Sequence, residues 1–294
     1  MGEYEFDWVD AFTDRAFSGN GCAVVHGAAG LNVETCMSFV RETSLVECTF
    51  TGPSQMADLR VRYFLASREI PFAGHPTIAT VAALRSRGLI QGNTVRLETG
   101  AGIIPVTVSA DSIEMTQAAP QFGAVAETTL VADAVGLDAG DIVAPPQIVS
   151  TGLPFCITVL RDHDALRRAK LNLDGLKALA DNLGHGDTDV SEPFLVTLSG
   201  ATSRGDTFSR LLLAPPSPPE DPFTGSANGA MAAYLWHHGL MAKDSFVAEQ
   251  GHWMGRPGTA RVTRIGPDGD MSGIRVAGQG YVLMTGTVRL SGAG

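Results

Sequence analysis

GHPTIATVAAL (Gly74 to Leu84) and GSANGAMAAYL (Gly225 to Leu235) are two stretches of this 294-residue chain that align without a gap. Each opens with glycine and continues as a run of small residues. Each also follows a strand-like run that carries an arginine, Arg62 in the first copy and Arg210 in the second. Because small side chains let strands approach a helix closely, this internal repeat predicts two similar halves, each with a sheet curved around a central helix.

The rest of the chain fits an α+β class. Short strand-like runs alternate with glycine and proline, and helical periodicity occurs at 32–43, 77–87, 173–183 and 227–238. We expect two half-barrel domains, each a curved mixed or antiparallel sheet wrapped around its helix. The predicted boundaries are 1–121, together with a C-terminal strand at about 280–294, and 122–279.

Composition excludes several functional classes. The net charge is -10 and no basic cluster is longer than Arg167-Arg168, which disfavours nucleic acid as a partner. The four cysteines form no C-x-x-C pair, which disfavours structural zinc and disulfides and favours a reducing compartment. No run approaches the roughly 20 apolar residues of a membrane helix, and the acidic start lacks the basic region of a signal peptide. We expect a cytoplasmic protein that binds no membrane.

Two helix starts are candidate anion sites, Gly74-His75 and Gly225-Ser226. Unpaired backbone N–H groups and the positive end of the helix dipole favour a carboxylate there. If the halves face each other, both starts converge on one cleft and clamp a substrate carboxylate. A plain capping role is the alternative. The dipole also disfavours a charged His75, so a neutral ring is expected.

Several acids compete for a role in proton transfer. Glu47 lies where a helical pattern changes to a strand, and apolar neighbours there would raise its pKa towards neutrality. Glu42 and Glu69 compete with it on composition alone. Asp221 is suited either to capping a helix or to accepting a hydrogen bond from a substrate hydroxyl or amine, and Ser226 lies in the same turn.

Six ordered segments together resemble one known family, the PhzF family of phenazine biosynthesis, whose fold is that of diaminopimelate epimerase. They are DAFTDRAFSGNGCAVV (10–25), RETSLVECTF (41–50), RYFLASREIPFAGHPT (62–77), VSTGLPF (149–155), EDPFTGSANGA (220–230) and EQGHWMGRP (249–257). The resemblance covers nearly the whole chain, and the ordered series is highly specific. It implies a homodimer of two-domain subunits with the site at the domain interface.

The resemblance also implies roles for individual residues. The catalytic positions would be Glu47 as general acid/base, with His75 and Asp221 as its polar partners. The binding positions would be Ser226 and the backbone of Gly74 and Gly225, which would face a small carboxylated substrate.

The residues at the helix starts discriminate between reactions. Related racemases use a thiol at each start, whereas His75 and Ser226 stand there in this chain. A single base that moves a proton between carbons on one face is therefore expected, which is an isomerisation without cofactor or metal. The alternatives are an epimerase that uses Glu47 with His75, and a non-catalytic binder of small molecules.

Five positions depart from the common family pattern. They are Gly21, Cys22, Ala66, Phe223 and Asn228. Departures near the cleft would reshape the pocket, which argues against the phenazine precursor, a dihydro-hydroxyanthranilate, as the substrate.

Overall fold

The computed structural model of the chain describes residues 2–184, 192–267 and 269–291. The chain divides into two compact units. Unit 1 comprises Met1–Thr116, Pro216–Pro218 and Ala277–Gly294, and unit 2 comprises Gln117–Pro215 and Pro219–Val276. The divisions therefore fall a few residues before the expected positions after 121 and 279. No helix of the described residues is long and apolar enough to cross a bilayer.

The described part of unit 1 has strands of a mixed sheet and two helices. In chain order its elements are β1 (Gly2–Ala11), β2 (Asn20–Val25), α1 (Val33–Thr43), β3 (Cys48–Gly52), β4 (Leu59–Phe64), β5 (Glu69–Ile70), α2 (Gly74–Ser86), β6 (Thr94–Thr99), β7 (Gly102–Val108), β8 (Ile113–Gln117) and β18 (Gly280–Leu290). Strand β1 pairs with β18 and β2, so the expected C-terminal strand is present. Residues 292–294 of that expectation lie outside the described residues.

Unit 2 contains a mixed sheet and four helices among its described residues. Its elements are β9 (Gln121–Val125), α3 (Thr128–Ala134), β10 (Gln147–Ser150), β11 (Pro154–Val159), α4 (His163–Arg168), α5 (Leu173–Leu183), β12 (Pro193–Thr197), β13 (Thr207–Leu212), β14 (Glu220–Asp221), α6 (Gly225–His237), β15 (Ser245–Gln250), β16 (Gly258–Ile265) and β17 (Gly273–Gly278).

The strands of the two units repeat one order of pairings. In unit 1, β2 is parallel to β3, β3 is antiparallel to β4, β4 is antiparallel to β5 and β4 is parallel to β6. In unit 2 the same relations link β11 to β12, β12 to β13, β13 to β14 and β13 to β15. The predicted α+β fold of two similar halves is confirmed.

Strand register makes the two copies comparable residue by residue. Phe50 pairs with Arg62 in unit 1, and Leu195 pairs with Arg210 in unit 2. Each arginine forms a two-pronged ion pair with a glutamate of the next strand. Arg62 donates to Glu69 at 2.8 and 2.7 Å, and Arg210 donates to Glu220 at 3.0 and 2.7 Å.

A central helix lies in the core of each unit. In α2 every residue from Gly74 to Leu84 is buried, and in α6 every residue from Gly225 to Trp236 is buried. Helix α2 packs against β1, β2, β3 and β18, and α6 packs against β10, β11 and β16. A helix buried on all sides needs small apolar side chains around its whole circumference, which the repeated alanines and glycines supply.

The C-terminal end of each central helix is tied to one strand. In unit 1 Arg87, which caps α2, donates to the buried Asp7 of β1 at 2.6 Å. In unit 2 His238, which caps α6, lies 3.0 Å from Gln147 of β10. The strand register makes Asp7 and Gln147 equivalent. The contact between helix end and strand is therefore an ion pair in unit 1 and a hydrogen bond to a side-chain amide in unit 2.

Candidate active site

Glu47 and His75 meet in unit 1. Glu47 directly precedes β3, and His75 is the second residue of α2, next to Gly74. Carboxylate Oε2 of Glu47 lies 3.3 Å from imidazole Nδ1 of His75. The Glu47 side chain is 14% exposed and that of His75 only 3%. The carboxylate therefore reaches an accessible surface while the ring behind it is enclosed.

The His75 ring is neutral near pH 7. Burial lowers the pKa of His75 from 6.5 to about 3, and a hydrogen bond to the Gly21 backbone opposes this only in part. The sequence expectation of a neutral ring is confirmed, although burial is the main cause. The contact with Glu47 is therefore not an ion pair, although its geometry satisfies the distance criterion for one.

Two side chains of opposite hydrogen-bonding character meet the same nitrogen of the His75 ring. The buried Asn20 amide nitrogen Nδ2, a donor, lies 3.1 Å from Nδ1. The Glu47 carboxylate, an acceptor, lies 3.3 Å from that same nitrogen. Nε2 is buried and has no hydrogen-bond partner within the structure described. Nδ1 is therefore the nitrogen that links His75 to both Asn20 and Glu47.

Asp221, Gly225 and Ser226 are brought together in unit 2. Asp221 ends β14 and is 3% exposed, while Gly225 and Ser226 open α6. Carboxylate Oδ2 of Asp221 accepts a hydrogen bond of 2.6 Å from the Thr224 hydroxyl. The predicted site residues thus fall into two groups, one in each unit.

Both helix starts lack a side-chain cap from the preceding residue. Ala73 has no capping group, and the Thr224 hydroxyl makes no capping bond to α6. In α6 that hydroxyl is engaged by Asp221 instead. Asp221 is therefore anchored to the residue that precedes α6, and its role as a helix cap or as a partner of the substrate stays a prediction.

The competing acids have other surroundings. Glu42 is exposed on α1, and Glu69 is bound by both prongs of Arg62. Of these three candidates, Glu47 alone contacts the histidine of a central-helix start.

One further buried glutamate was missed by the sequence reasoning. Because Phe50 and Leu195 occupy equivalent positions, Glu192 of unit 2 is the counterpart of Glu47. Glu192 is 7% exposed and accepts a hydrogen bond of 2.5 Å from the backbone N–H of Ala214. The Glu192 carboxylate thus binds the backbone of the loop after β13, whereas its counterpart Glu47 contacts a histidine. Only strand register reveals this equivalence.

The departures from the family pattern prove to be interior residues. Phe223 and Asn228 are fully buried, as is Cys22, whose thiol lies 3.6 Å from the Thr49 hydroxyl. Cys48, the neighbour of Glu47, is a core thiol, and burial raises its pKa to about 12.

Comparison with known proteins identifies the family. The family profile PhzC-PhzF, described as "Phenazine biosynthesis-like protein", matches residues 9–286. The chain belongs to this family. "Uncharacterized isomerase YddE" of Salmonella typhimurium is 33% identical over 94% of this chain and 95% of its own length. Other curated relatives in this PhzC-PhzF group also carry isomerase names, and the chain is an enzyme of the isomerase class.

Solved structures agree with this PhzC-PhzF assignment. A PhzF-family protein of Bacillus anthracis superposes with a TM-score of 0.86 at 26% identity, over 98% of this chain and 100% of the other. A Pseudomonas aeruginosa protein described as a predicted epimerase gives 0.83 at 30% identity with the same coverage. A hydroxyproline epimerase of Agrobacterium vitis gives 0.62 at 14% identity over 97% and 92%, which shows the shared epimerase-like fold alone.

Proposed function

We propose that this chain is a cofactor-independent isomerase that moves a proton on a small carboxylated substrate, bound in a cleft between the two units. Glu47 is the general acid/base. The observation that supports this assignment most directly is its carboxylate 3.3 Å from the buried, neutral His75. A buried neutral imidazole beside a partly accessible carboxylate suits proton transfer without a fixed ion pair.

Each residue has a distinct part in the proposed reaction. Glu47 takes a proton from one carbon of a conjugated substrate and returns it to another, so the net reaction consumes no proton and no electron. His75 and Asp221 hydrogen-bond and orient the polar groups that gain charge as the proton moves. Ser226 and the first backbone N–H groups of the helices at Gly74 and Gly225 bind the substrate carboxylate.

Solvent deuterium exchange tests the proposal. The protein is incubated in deuterated water with a panel of carboxylates, namely dihydro-hydroxyanthranilate, proline, trans-4-hydroxyproline and methylitaconate. Incorporation is followed by mass spectrometry and proton NMR. Removal of the general base by Glu47→Gln is expected to slow exchange about 10²–10⁴-fold while ligand binding measured by calorimetry is retained.

The chain offers a matched control. Glu192→Gln makes the same change at the equivalent position of unit 2, where a glutamine oxygen still accepts from Ala214 N–H. It is expected to exchange at the wild-type rate. Exchange by Glu47→Gln at that rate would exclude Glu47 as the base. Tight binding of a panel member without any exchange would favour the non-catalytic binder.

The second candidate is an epimerase that uses Glu47 with His75. It is favoured by the relative described as a predicted epimerase and by the 3.3 Å contact between Oε2 of Glu47 and Nδ1 of His75. The two reactions differ at the labelled carbon. An isomerase moves the double bond and leaves deuterium at a new carbon, whereas an epimerase inverts the carbon that exchanges.

We further propose a cytoplasmic homodimer. The four free cysteines fit a reducing compartment, and the family resemblance supports the dimer. Light scattering should give about twice the chain mass of 30.8 kDa, and fractionation of cells that express the tagged protein checks the location.

A further inference from the structure

A buried side-chain amide holds the turn that carries Asp221. Gln250, the last residue of β15, is 0% exposed. Its Nε2 donates to the Asp221 carbonyl at 2.8 Å and to the Thr224 hydroxyl at 3.1 Å. Its Oε1 accepts from Thr224 N–H at 3.0 Å and from the Asn228 amide at 3.2 Å. One glutamine therefore ties β14, the loop after it and the first turn of α6 together.

These contacts fix the direction of every hydrogen bond. A backbone carbonyl only accepts and a backbone N–H only donates, so the Gln250 amide has a single orientation. The Thr224 hydroxyl accepts from Nε2 of Gln250, and its one proton is then directed at Oδ2 of Asp221, 2.6 Å away. The Gln250 amide thus donates to the Thr224 hydroxyl, and that hydroxyl donates to the Asp221 carboxylate.

The backbone beside Gln250 reinforces this arrangement. Gly251 has a φ of +79°, and a Cβ there would lie 2.5 Å from the Pro222 carbonyl. The end of β15 thus lies directly against the turn that links β14 to α6, and a side chain at this position would push the two apart.

We propose that Gln250 and Thr224 are positioning residues, which orient the Asp221 carboxylate for the reaction by way of the Thr224 hydroxyl. This inference rests on the proposed function for the role of Asp221, but the orientation itself is independent of turnover. The shortest hydrogen bond of the network is the one at Oδ2, so loss of the Thr224 hydroxyl is the sharpest perturbation.

Thr224→Val and Thr224→Ser form a matched pair for the test. Valine keeps the shape and backbone N–H of threonine but removes the hydroxyl, whereas serine keeps the hydroxyl. With the panel member that wild type labels, Thr224→Val is expected to lower the exchange rate constant about tenfold or more at little-changed KM. Thr224→Ser should stay within about twofold of wild type. Gln250→Glu, which removes both Nε2 donors, should lower the rate as Thr224→Val does.

A crystal structure of each variant gives a readout that needs no substrate. The Asp221 carboxylate should rotate in Thr224→Val and keep its wild-type orientation in Thr224→Ser. An unchanged carboxylate in Thr224→Val would overturn the proposal, as would wild-type exchange by that variant. Failure of the acid/base assignment is seen separately, as full exchange by Glu47→Gln.

Discussion

Replacement of His75 by glutamine should remove a specific dependence of stability on pH. The His75 side chain is 3% exposed, and burial lowers the pKa of His75 from 6.5 to about 3. Between these values the unfolded chain binds a proton that the folded chain does not, so the stability of the fold falls as pH falls below about 6.5. A group with these two pKa values lowers the free energy of unfolding by about 2 kcal/mol as the pH falls from about 7 to about 5.

Urea unfolding of both proteins at the two pH values measures this quantity. Wild type and His75→Gln differ only at the ring and in the surroundings of the side chains that contact it, so the difference between their pH effects reports on this site. Wild type should lose about 2 kcal/mol more than the variant on acidification. Equal losses would show that His75 is solvated or already charged in the folded protein, and the neutral-ring reasoning would be wrong.

Three further perturbations test the packing. Gly229→Ala places a Cβ 1.8 Å from the Gln117 side chain, so overpacking should destabilise unit 2 by about 1–3 kcal/mol in urea unfolding. Asp7→Asn leaves Arg87 without its buried carboxylate partner and should lower the free energy of unfolding by about 3 kcal/mol. Thermal unfolding of this variant at the wild-type temperature would contradict a stabilising role for the ion pair. The four buried thiols, whose pKa values burial raises, should resist a disulfide reagent in the folded protein; rapid labelling of any one would refute its enclosure.

The sequence was sufficient for the repeated architecture because the signal lies in composition. A helix that is buried on all sides must be rich in small residues. The two segments that begin at Gly74 and Gly225 both have this composition. The start of α2 came from the repeat and not from periodicity. The apolar pattern begins only at 77, because glycine, histidine and proline contribute nothing to it, whereas the glycine-led repeat predicts a start at Gly74-His75, and α2 begins at Gly74.

Candidate site residues could be predicted only where the adjoining sequence segment identifies them. Glu47 and His75 lie in separate segments of the chain, and the resemblance linked them before the geometry did. No sequence segment identifies Glu192 or Gln250 in this way. The equivalence of Glu192 to Glu47 follows from strand register. The position of Gln250 follows from four hydrogen bonds with residues distant in sequence.

The register between the copies bears on how such a protein diversifies. Ile70 of unit 1 stands where unit 2 has Asp221, and His75 stands where unit 2 has Ser226. A chain built from the first half twice would have a glutamate–histidine pair in both units and isoleucine in place of Asp221. The two halves thus share one order of strand pairings but differ at the positions proposed to act on the substrate, so a substitution at one of these positions has no chemical counterpart in the other half.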